Sequence, residues 1–201
     1  MGKILIVNGS PRAPRSNSRR YAELFAAHCG VPTEYAAVSK KNHGELCAKL
    51  ETCSDVLFVF PLYADGVPVT LLAFLNSLAQ NPPKNRPRVS VLVNCGFLEP
   101  EQNDTAVRIV RCFCAREGYP FGSVLRIGSG EAVLDTPFRF FAVRAVKHLA
   151  AAVQQGRCVN LKATMPLPRR LFLRASTRYW ESYGRKNGVT PEQMASMEIE
   201  P

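Results

Sequence analysis

The stretch Lys3-Ile-Leu-Ile-Val-Asn-Gly-Ser-Pro-Arg-Ala-Pro-Arg-Ser-Asn-Ser18 decides the fold class of this chain. Ile4 to Val7 is a continuous apolar run, which is typical of a strand buried on both faces. The run stops at Asn8-Gly9, and an amphipathic helical pattern begins after Ser16. The segment therefore predicts a buried strand, then a loop of small hydroxyl residues, prolines and arginines, and then a helix.

This loop has the composition of an anion site. The first amides of a helix have no partner within the helix, and they carry the positive end of its dipole. Further donors would come from Ser10, Ser16, Ser18, Arg12 and Arg15. We predict that the loop binds a phosphate group; the alternative is an ordinary helix cap at Ser16 or Asn17 with solvated arginines.

Composition indicates one soluble domain with an appendage. The chain has 201 residues, of which 46% are hydrophobic and 21% are charged. Its longest apolar runs are too short to span a bilayer, and we expect no signal peptide. The seven cysteines are odd in number and form no Cys-x-x-Cys pair, so we expect free thiols in the reducing cytoplasm and no iron-sulfur cluster.

The net charge of the chain is +10 at pH 7, and its isoelectric point is near 9.5. Much of the excess positive charge lies after residue 156. Such a field attracts nucleic acid, an anionic membrane surface or a phosphorylated substrate such as NADPH. Charge alone does not choose among these partners.

Strand and helix patterns alternate as far as Gly156. Strands are predicted at Ile4–Asn8, Glu34–Val38, Asp55–Phe60, Arg88–Asn94 and Ser123–Ile127. Helices are predicted at Asn17–Cys29, Gly44–Cys53, Pro68–Leu78, Asp104–Glu117 and Phe138–Gln155. Five such repeats imply an α/β fold with a doubly wound parallel sheet and helices on both faces, which makes three layers.

Ligands of such sheets bind outside the carboxyl ends of the strands, where the strand order reverses. Two further loops would therefore lie beside the predicted phosphate loop. They are Pro61-Leu-Tyr-Ala-Asp-Gly-Val-Pro68 after the third strand and Asn94-Cys-Gly-Phe-Leu-Glu-Pro100 after the fourth. Each contains an aromatic residue and a glycine, which suits a flat ring with backbone amides at its edge.

Together these three loops resemble those of the flavodoxin-like NAD(P)H-dependent FMN reductases and related quinone reductases. The resemblance covers residues 3–156. It implies a five-stranded parallel sheet of order 2-1-3-4-5 in an FMN-binding domain of residues 1–156. The basic helical extension would then comprise residues 157–201.

The resemblance also implies the cofactors FMN and NAD(P)H and a set of binding residues. The FMN phosphate would be held by Ser10, Arg12, Ser16, Asn17 and Ser18. One edge of the flavin ring would lie against Pro61, Leu62, Tyr63, Ala64, Asp65 and Gly66, with the amides near Asp65 and Gly66 at its N5/O4 side. The pyrimidine edge or ring face would meet Asn94, Cys95, Gly96 and Phe97. No catalytic residue and no metal site is predicted, because the flavin carries the chemistry.

The predicted function is the transfer of electrons from NAD(P)H to a quinone, a flavin or another small acceptor. The alternatives are a non-enzymatic FMN electron carrier and a nucleotide- or nucleic-acid-binding module on the same fold. A nucleophilic Cys95 is disfavoured, because no histidine lies near it in the sequence. We expect a homodimer or a larger assembly.

After Gly156 the pattern changes. Cys158–Leu161 is consistent with a short edge element, and Arg169–Lys186 has helical spacing. On that helix, Leu171, Ala175, Tyr179 and Tyr183 are expected on one face and most of the arginines opposite. We expect the helix to pack on its own domain or on a second subunit; the alternatives are a lid over the flavin or a basic surface for membrane or nucleic acid. Thr190-Pro191 would start one last short helix.

Overall fold

The computed structural model describes residues 2–13 and 15–196, which form six strands and seven α-helices. The strands are β1 Ile4–Asn8, β2 Thr33–Ala37, β3 Asp55–Pro61, β4 Arg88–Asn94, β5 Phe121–Ile127 and β6 Asn160–Ala163. The helices are α1 Asn17–Ala27, α2 His43–Leu50, α3 Val69–Gln80, α4 Asp104–Glu117, α5 Arg139–Gln154, α6 Arg169–Lys186 and α7 Pro191–Ser196.

All six strands lie in one parallel sheet of order β2-β1-β3-β4-β5-β6. The predicted order of the first five strands is confirmed, but the predicted number of strands is wrong. The sixth strand, β6, pairs with β5 from Val124 opposite Asn160 to Ile127 opposite Ala163. The short edge element predicted at Cys158–Leu161 is this strand, which begins and ends two residues later. It has only four residues, is partly exposed and lacks the apolar run that marks the central strands.

Helices cover both faces of the sheet. Alternate residues of the central strands, such as Leu5, Val7 and Phe58, share one core with α2, α3 and α4. On the other face, α1 and α5 contact each other and also contact β3 and β5, respectively. Because both faces are covered, residues 4–7 and 56–60 are fully buried, which explains their continuous apolar character.

The chain divides into two compact units between Met165 and Pro166. The first unit contains the whole sheet. Residues 157–165, which the sequence pattern assigned to the extension, lie in this first unit because β6 hydrogen bonds to β5. The second unit consists of α6 and α7, and Gly184 allows their close approach: a Cβ atom there would lie 2.6 Å from the sulfur of Met194.

All seven cysteines are free, and two of them, Cys112 and Cys158, are exposed. None of the helices in residues 2–13 and 15–196 is long and apolar enough to cross a membrane.

Candidate functional site

The candidate site lies at the carboxyl ends of the strands. The strand order reverses between β1 and β3, so the loops after these two strands flank the point where ligands bind in open parallel sheets. We call residues 9–16 the first loop, residues 62–68 the second, residues 95–99 the third and residues 128–132 the fourth. At the start of the first loop, the Gly9 amide donates to the Val59 carbonyl (2.9 Å), and a Cβ atom at Gly9 would lie 2.8 Å from Cβ of Leu71.

Asn8, at the buried end of β1, shapes the first loop. Its Oδ1 accepts from the Ser10 amide (2.9 Å), and its Nδ2 donates to the Tyr35 hydroxyl (2.9 Å) and to Ser16 Oγ (3.4 Å). Ser10 Oγ in turn accepts from the Arg12 amide (3.3 Å). Side-chain acceptors thus fold the loop locally, as Asx and serine turns do.

The start of α1 presents hydrogen-bond donors without acceptors. Ser16 caps the helix by accepting from the Arg19 amide (3.2 Å). The backbone amides of residues 15–18 make no hydrogen bond to any other residue that the structure describes. Arg12 and Arg15 are exposed, and their guanidinium groups form neither a hydrogen bond nor an ion pair with other described residues. This combination of free amides and free positive charge is suited to an anion.

The other two predicted phosphate ligands, Asn17 and Ser18, hold the loops together. Asn17 Nδ2 donates to the carbonyl of Glu131 in the fourth loop (2.9 Å). Ser18 is buried, and its Oγ accepts from Asn94 Nδ2 (3.1 Å), which joins α1 to the end of β4. The backbone amides of Asn17 and Ser18 make no hydrogen bond to another described residue. Ser10 is buried, and its amide and Oγ are bonded to Asn8 and to the Arg12 amide.

The second loop is a tight turn. The Tyr63 amide donates to the Gly66 carbonyl (3.1 Å), and the Gly66 amide donates to the Tyr63 carbonyl (2.8 Å). Between them, Ala64 and Asp65 have φ values of 43° and 55°, which is the left-handed region expected of a type I′ turn. Non-glycine residues pay a steric cost in this region, and such strain concentrates at functional sites.

This turn determines which amides of the second loop are accessible. The Gly66 amide is used within the turn, so of the two amides predicted to face the flavin only that of Asp65 is free. The amide of Ala64 is likewise without a partner among the described residues. The Tyr63 side chain is 45% exposed beside them. The start of the loop is anchored to the end of β4, because the Leu62 amide donates to the Asn94 carbonyl (2.8 Å).

In the third loop, both backbone polar groups of the first residue, Cys95, are already hydrogen-bonded. The Cys95 amide donates to the Ile127 carbonyl (2.9 Å), and the Cys95 carbonyl accepts from the Gly130 amide (2.7 Å). Its sulfur lies 3.3 Å from Asn103 Nδ2, and burial raises the pKa of the thiol. A raised pKa keeps the thiol protonated at neutral pH, which disfavours a nucleophilic role. Beyond it, the amides of Gly96 and Phe97 are free in the described chain, and the Phe97 ring is 53% exposed.

The fourth loop was missed by the sequence interpretation. Gly128-Ser129-Gly130 follows β5, with Ser129 at a φ of 52°. A Cβ atom at Gly130 would lie 2.8 Å from Cβ of Asn94, and the Gly130 carbonyl accepts from the Tyr21 hydroxyl (2.9 Å). The side chain of Glu131 reaches the third loop: a Cβ atom at Gly96 would lie 3.4 Å from its Oε2. The glycine pair directly after a strand was the signal available in the sequence.

The donor set of this edge fits FMN. The phosphate dianion matches the free amides at the start of α1 and the two arginines of the first loop. The flavin ring is flat and has acceptor atoms on its edges, which match the free amides of the second and third loops and the exposed rings of Tyr63 and Phe97. Among the described residues, no group of three or more His, Cys, Asp or Glu side chains could hold a metal ion.

The sequence matches no family model and no curated protein. Solved structures do match. An NAD(P)H:quinone oxidoreductase from Methanothermobacter marburgensis has a TM-score of 0.61 at 13% identity, covering 76% of this chain and 96% of its own. A flavodoxin from Streptococcus pneumoniae has a TM-score of 0.55 at 14% identity, covering 74% and 95%. This chain has the flavodoxin-like fold.

A third solved structure is an FMN-dependent NADH-azoreductase from Bacillus anthracis in complex with FMN. It has a TM-score of 0.59 at 14% identity and covers 77% of this chain and 100% of its own. The structural neighbours therefore include a quinone oxidoreductase and an FMN-dependent azoreductase, in keeping with the family that the loop sequences resemble. At these identities the likeness shows the fold, and the function of this chain has to be argued from its own site.

Proposed function

We propose that this protein binds FMN and passes electrons from NAD(P)H to a quinone, a flavin or another small acceptor. The observation that carries the proposal is the first loop. The loop follows β1 at the strand-order reversal. The amides of residues 15–18, which run into the start of α1, and the guanidinium groups of Arg12 and Arg15 have no acceptor among the described residues. A phosphate monoester is the ligand that such a donor set binds best.

The second and third loops supply the contacts for the ring. The free amides of Ala64, Asp65, Gly96 and Phe97 would donate to acceptor atoms on the ring edges, and the exposed Tyr63 ring would cover apolar surface. When bound, FMN supplies the ring that accepts a hydride and returns electrons to an acceptor. The protein residues bind the ring and fix its orientation, and no side chain has to transfer a proton.

Two carboxylates lie at the rim of the site. Asp65 is at the tip of the second loop and Glu131 is beside Gly96; neither has an ion-pair partner in the described chain. Their negative charge opposes accumulation of negative charge on the ring. This favours onward transfer of electrons to a small acceptor, as a reductase requires.

The test is the flavin content and nicotinamide oxidation of the purified, reconstituted protein. We expect stoichiometric FMN, with FAD bound more weakly, and oxidation of NADH or NADPH that is accelerated by benzoquinone or free riboflavin. Failure to bind FMN would overturn the whole proposal. If FMN binds but nicotinamide oxidation is no faster than with free FMN, the protein is an electron carrier and the enzymatic part of the proposal is wrong. The expected dimer is checked in the same preparation by its molecular mass in solution.

A further inference from the structure

Helix α6 carries two opposed faces of different chemical character. At 100° per residue, Arg170, Arg174, Arg178 and Arg185 fall on one side of the helix. The opposite side presents Phe172, Leu173, Tyr179, Trp180 and Tyr183. Leu171 falls beside Arg178 instead of on the predicted apolar face, and Trp180 lies within that face, between Tyr183 and Leu173.

The aromatic side chains of α6 form a contiguous cluster. The ring centroids of Tyr179 and Trp180 are 5.2 Å apart, those of Trp180 and Tyr183 are 5.9 Å apart, and the rings of Tyr179 and Tyr183 stack at 6.5 Å. The side chains are nevertheless exposed, Trp180 by 42% and Tyr183 by 51%. A contiguous exposed apolar surface of this kind marks an interaction site.

The same helix is strongly cationic. Its eighteen residues include six Arg or Lys side chains and one acid, Glu181. Glu181 lies 3.5 Å from Arg185, and Arg170, Arg174 and Arg178 form no ion pair with other described residues. The partner of this helix therefore has to combine negative charge with a place for aromatic rings.

We propose that α6 binds flat on the surface of an anionic lipid bilayer. Tyrosine and tryptophan rings are suited to the boundary between headgroups and acyl chains, and arginines are attracted to anionic headgroups. The helix is too polar to cross a membrane. A second copy of the chain would bring another cationic helix alongside, whereas anionic lipid neutralises this charge.

Trp180 provides a direct readout, because it is the only tryptophan of the chain. Full-length protein is mixed with phosphatidylcholine vesicles that contain either no phosphatidylserine or 30% of it. We expect cosedimentation and a blue shift of the tryptophan emission only with the anionic vesicles, and reversal at high salt. Brominated acyl chains should quench the emission.

Two variants separate charge from apolar contact. Replacing Arg170, Arg174, Arg178 and Arg185 with Gln should weaken vesicle binding at least tenfold, since each basic residue near the surface contributes roughly fivefold. The matched control replaces Lys40, Lys41, Arg144 and Lys147 of the first unit with Gln; these residues are exposed and form no ion pair with other described residues. It has the same net charge and should bind more tightly than the α6 variant. Leu173→Ser with Tyr183→Ser should abolish the blue shift and keep the FMN content.

Three results, obtained with vesicles or with the protein alone, would overturn the proposal. They are equal binding to neutral and anionic vesicles, equal loss in the α6 variant and its charge-matched control, and a blue shift that depends on protein concentration without vesicles. The last result would assign the aromatic face to a second copy of the chain. Retention of RNA with no affinity for vesicles would assign the arginine face to nucleic acid and would equally reject the bilayer.

Discussion

The first and third loops both follow a buried asparagine at the end of a strand, but they use their hydrogen bonds in opposite ways. Asn8 bends the first loop locally, and the amides of residues 15–18 have no acceptor among the described residues. In the third loop, the amide and the carbonyl of Cys95 are both hydrogen-bonded to residues of β5 and the fourth loop, and Asn103 Nδ2 bonds to the Cys95 sulfur. An open loop of donors is suited to a charged ligand, whereas a closed loop is a scaffold that presents a few contacts at its tip.

The largest expected effect lies in the open loop. Arg12→Gln combined with Arg15→Gln should weaken FMN binding by about 3–6 kcal/mol if each arginine makes one charge-assisted bond to the phosphate. Calorimetric titration of the stripped protein measures this. The matched control, Arg144→Gln with Lys147→Gln, removes the same charge from α5 and should change the affinity little. Equal losses in both variants would mean that only long-range attraction was removed.

In the third loop, we expect a substitution to lower the free energy of unfolding and to leave FMN affinity nearly unchanged. Asn103 is fully buried, and its Nδ2 donates to the carbonyls of Pro100 and Ile127 as well as to the Cys95 sulfur. Asn103→Ala should cost about 1–3 kcal/mol of unfolding free energy because it removes the hydrogen bonds of a fully buried side chain. Urea unfolding checks this, with the exposed neighbour Gln102→Ala as the control. A large loss of FMN affinity in protein that remains folded would show that the third loop is more than a scaffold.

In the turn of the second loop, a substitution should raise the free energy of unfolding. Asp65 has a φ of 55°, which glycine adopts without a steric cost. Asp65→Gly should therefore stabilise the FMN-free protein by roughly 1 kcal/mol. Lys40→Gly, at an exposed position without a positive φ, should be slightly destabilising, so the two substitutions differ in sign. If both destabilise, the side chain of Asp65 supports the turn in a way that outweighs the backbone cost.

The smallest effect is expected at the contact between α1 and the segment after the fourth loop. The Arg20 guanidinium holds the pKa of Asp135 below its usual value through a bidentate ion pair (2.6 and 2.8 Å). A lowered pKa stabilises the folded state above the unfolded-state pKa, and this contribution disappears as the pH falls through the folded-state pKa. Because the pair is exposed, Asp135→Asn should cost less than about 1 kcal/mol at pH 7.

Thermal melts at several pH values test this last expectation. The difference between the wild-type protein and Asp135→Asn should shrink as the pH falls below about 4. A difference that stayed constant down to pH 2 would show that the charge of Asp135 is not what matters.

Much of the fold could be predicted because central strands of a covered parallel sheet leave a plain signal. The apolar run of Ile4 to Val7 and the cap at Ser16 are local features, and both are found where the sequence placed them. The edge strand β6 has no such run, and among the described strands it pairs with β5 alone. Its pairing depends on the neighbouring β5 and not on its own composition.

The site was predicted less completely, because its geometry depends on contacts between distant residues. Asn17 donates to the Glu131 carbonyl, which is 114 residues away in the sequence. The local sequence around Asn17 therefore predicts neither this hydrogen bond nor the part of the fourth loop in the site. The inward-facing amide of Gly66 follows from a type I′ turn made by Ala64 and Asp65. These residues are not the asparagine and glycine that normally announce such a turn.

The most direct test of the central claim compares FMN with riboflavin, which has the same ring but no phosphate. If the open first loop is the phosphate site, the stripped protein should bind FMN at least about a hundredfold more tightly, since two or more charge-assisted bonds depend on the phosphate. This preference should largely disappear in the Arg12→Gln, Arg15→Gln variant. Equal affinities of the unmodified protein for FMN and riboflavin would contradict the account, because the donors of the first loop would then have no part in flavin binding.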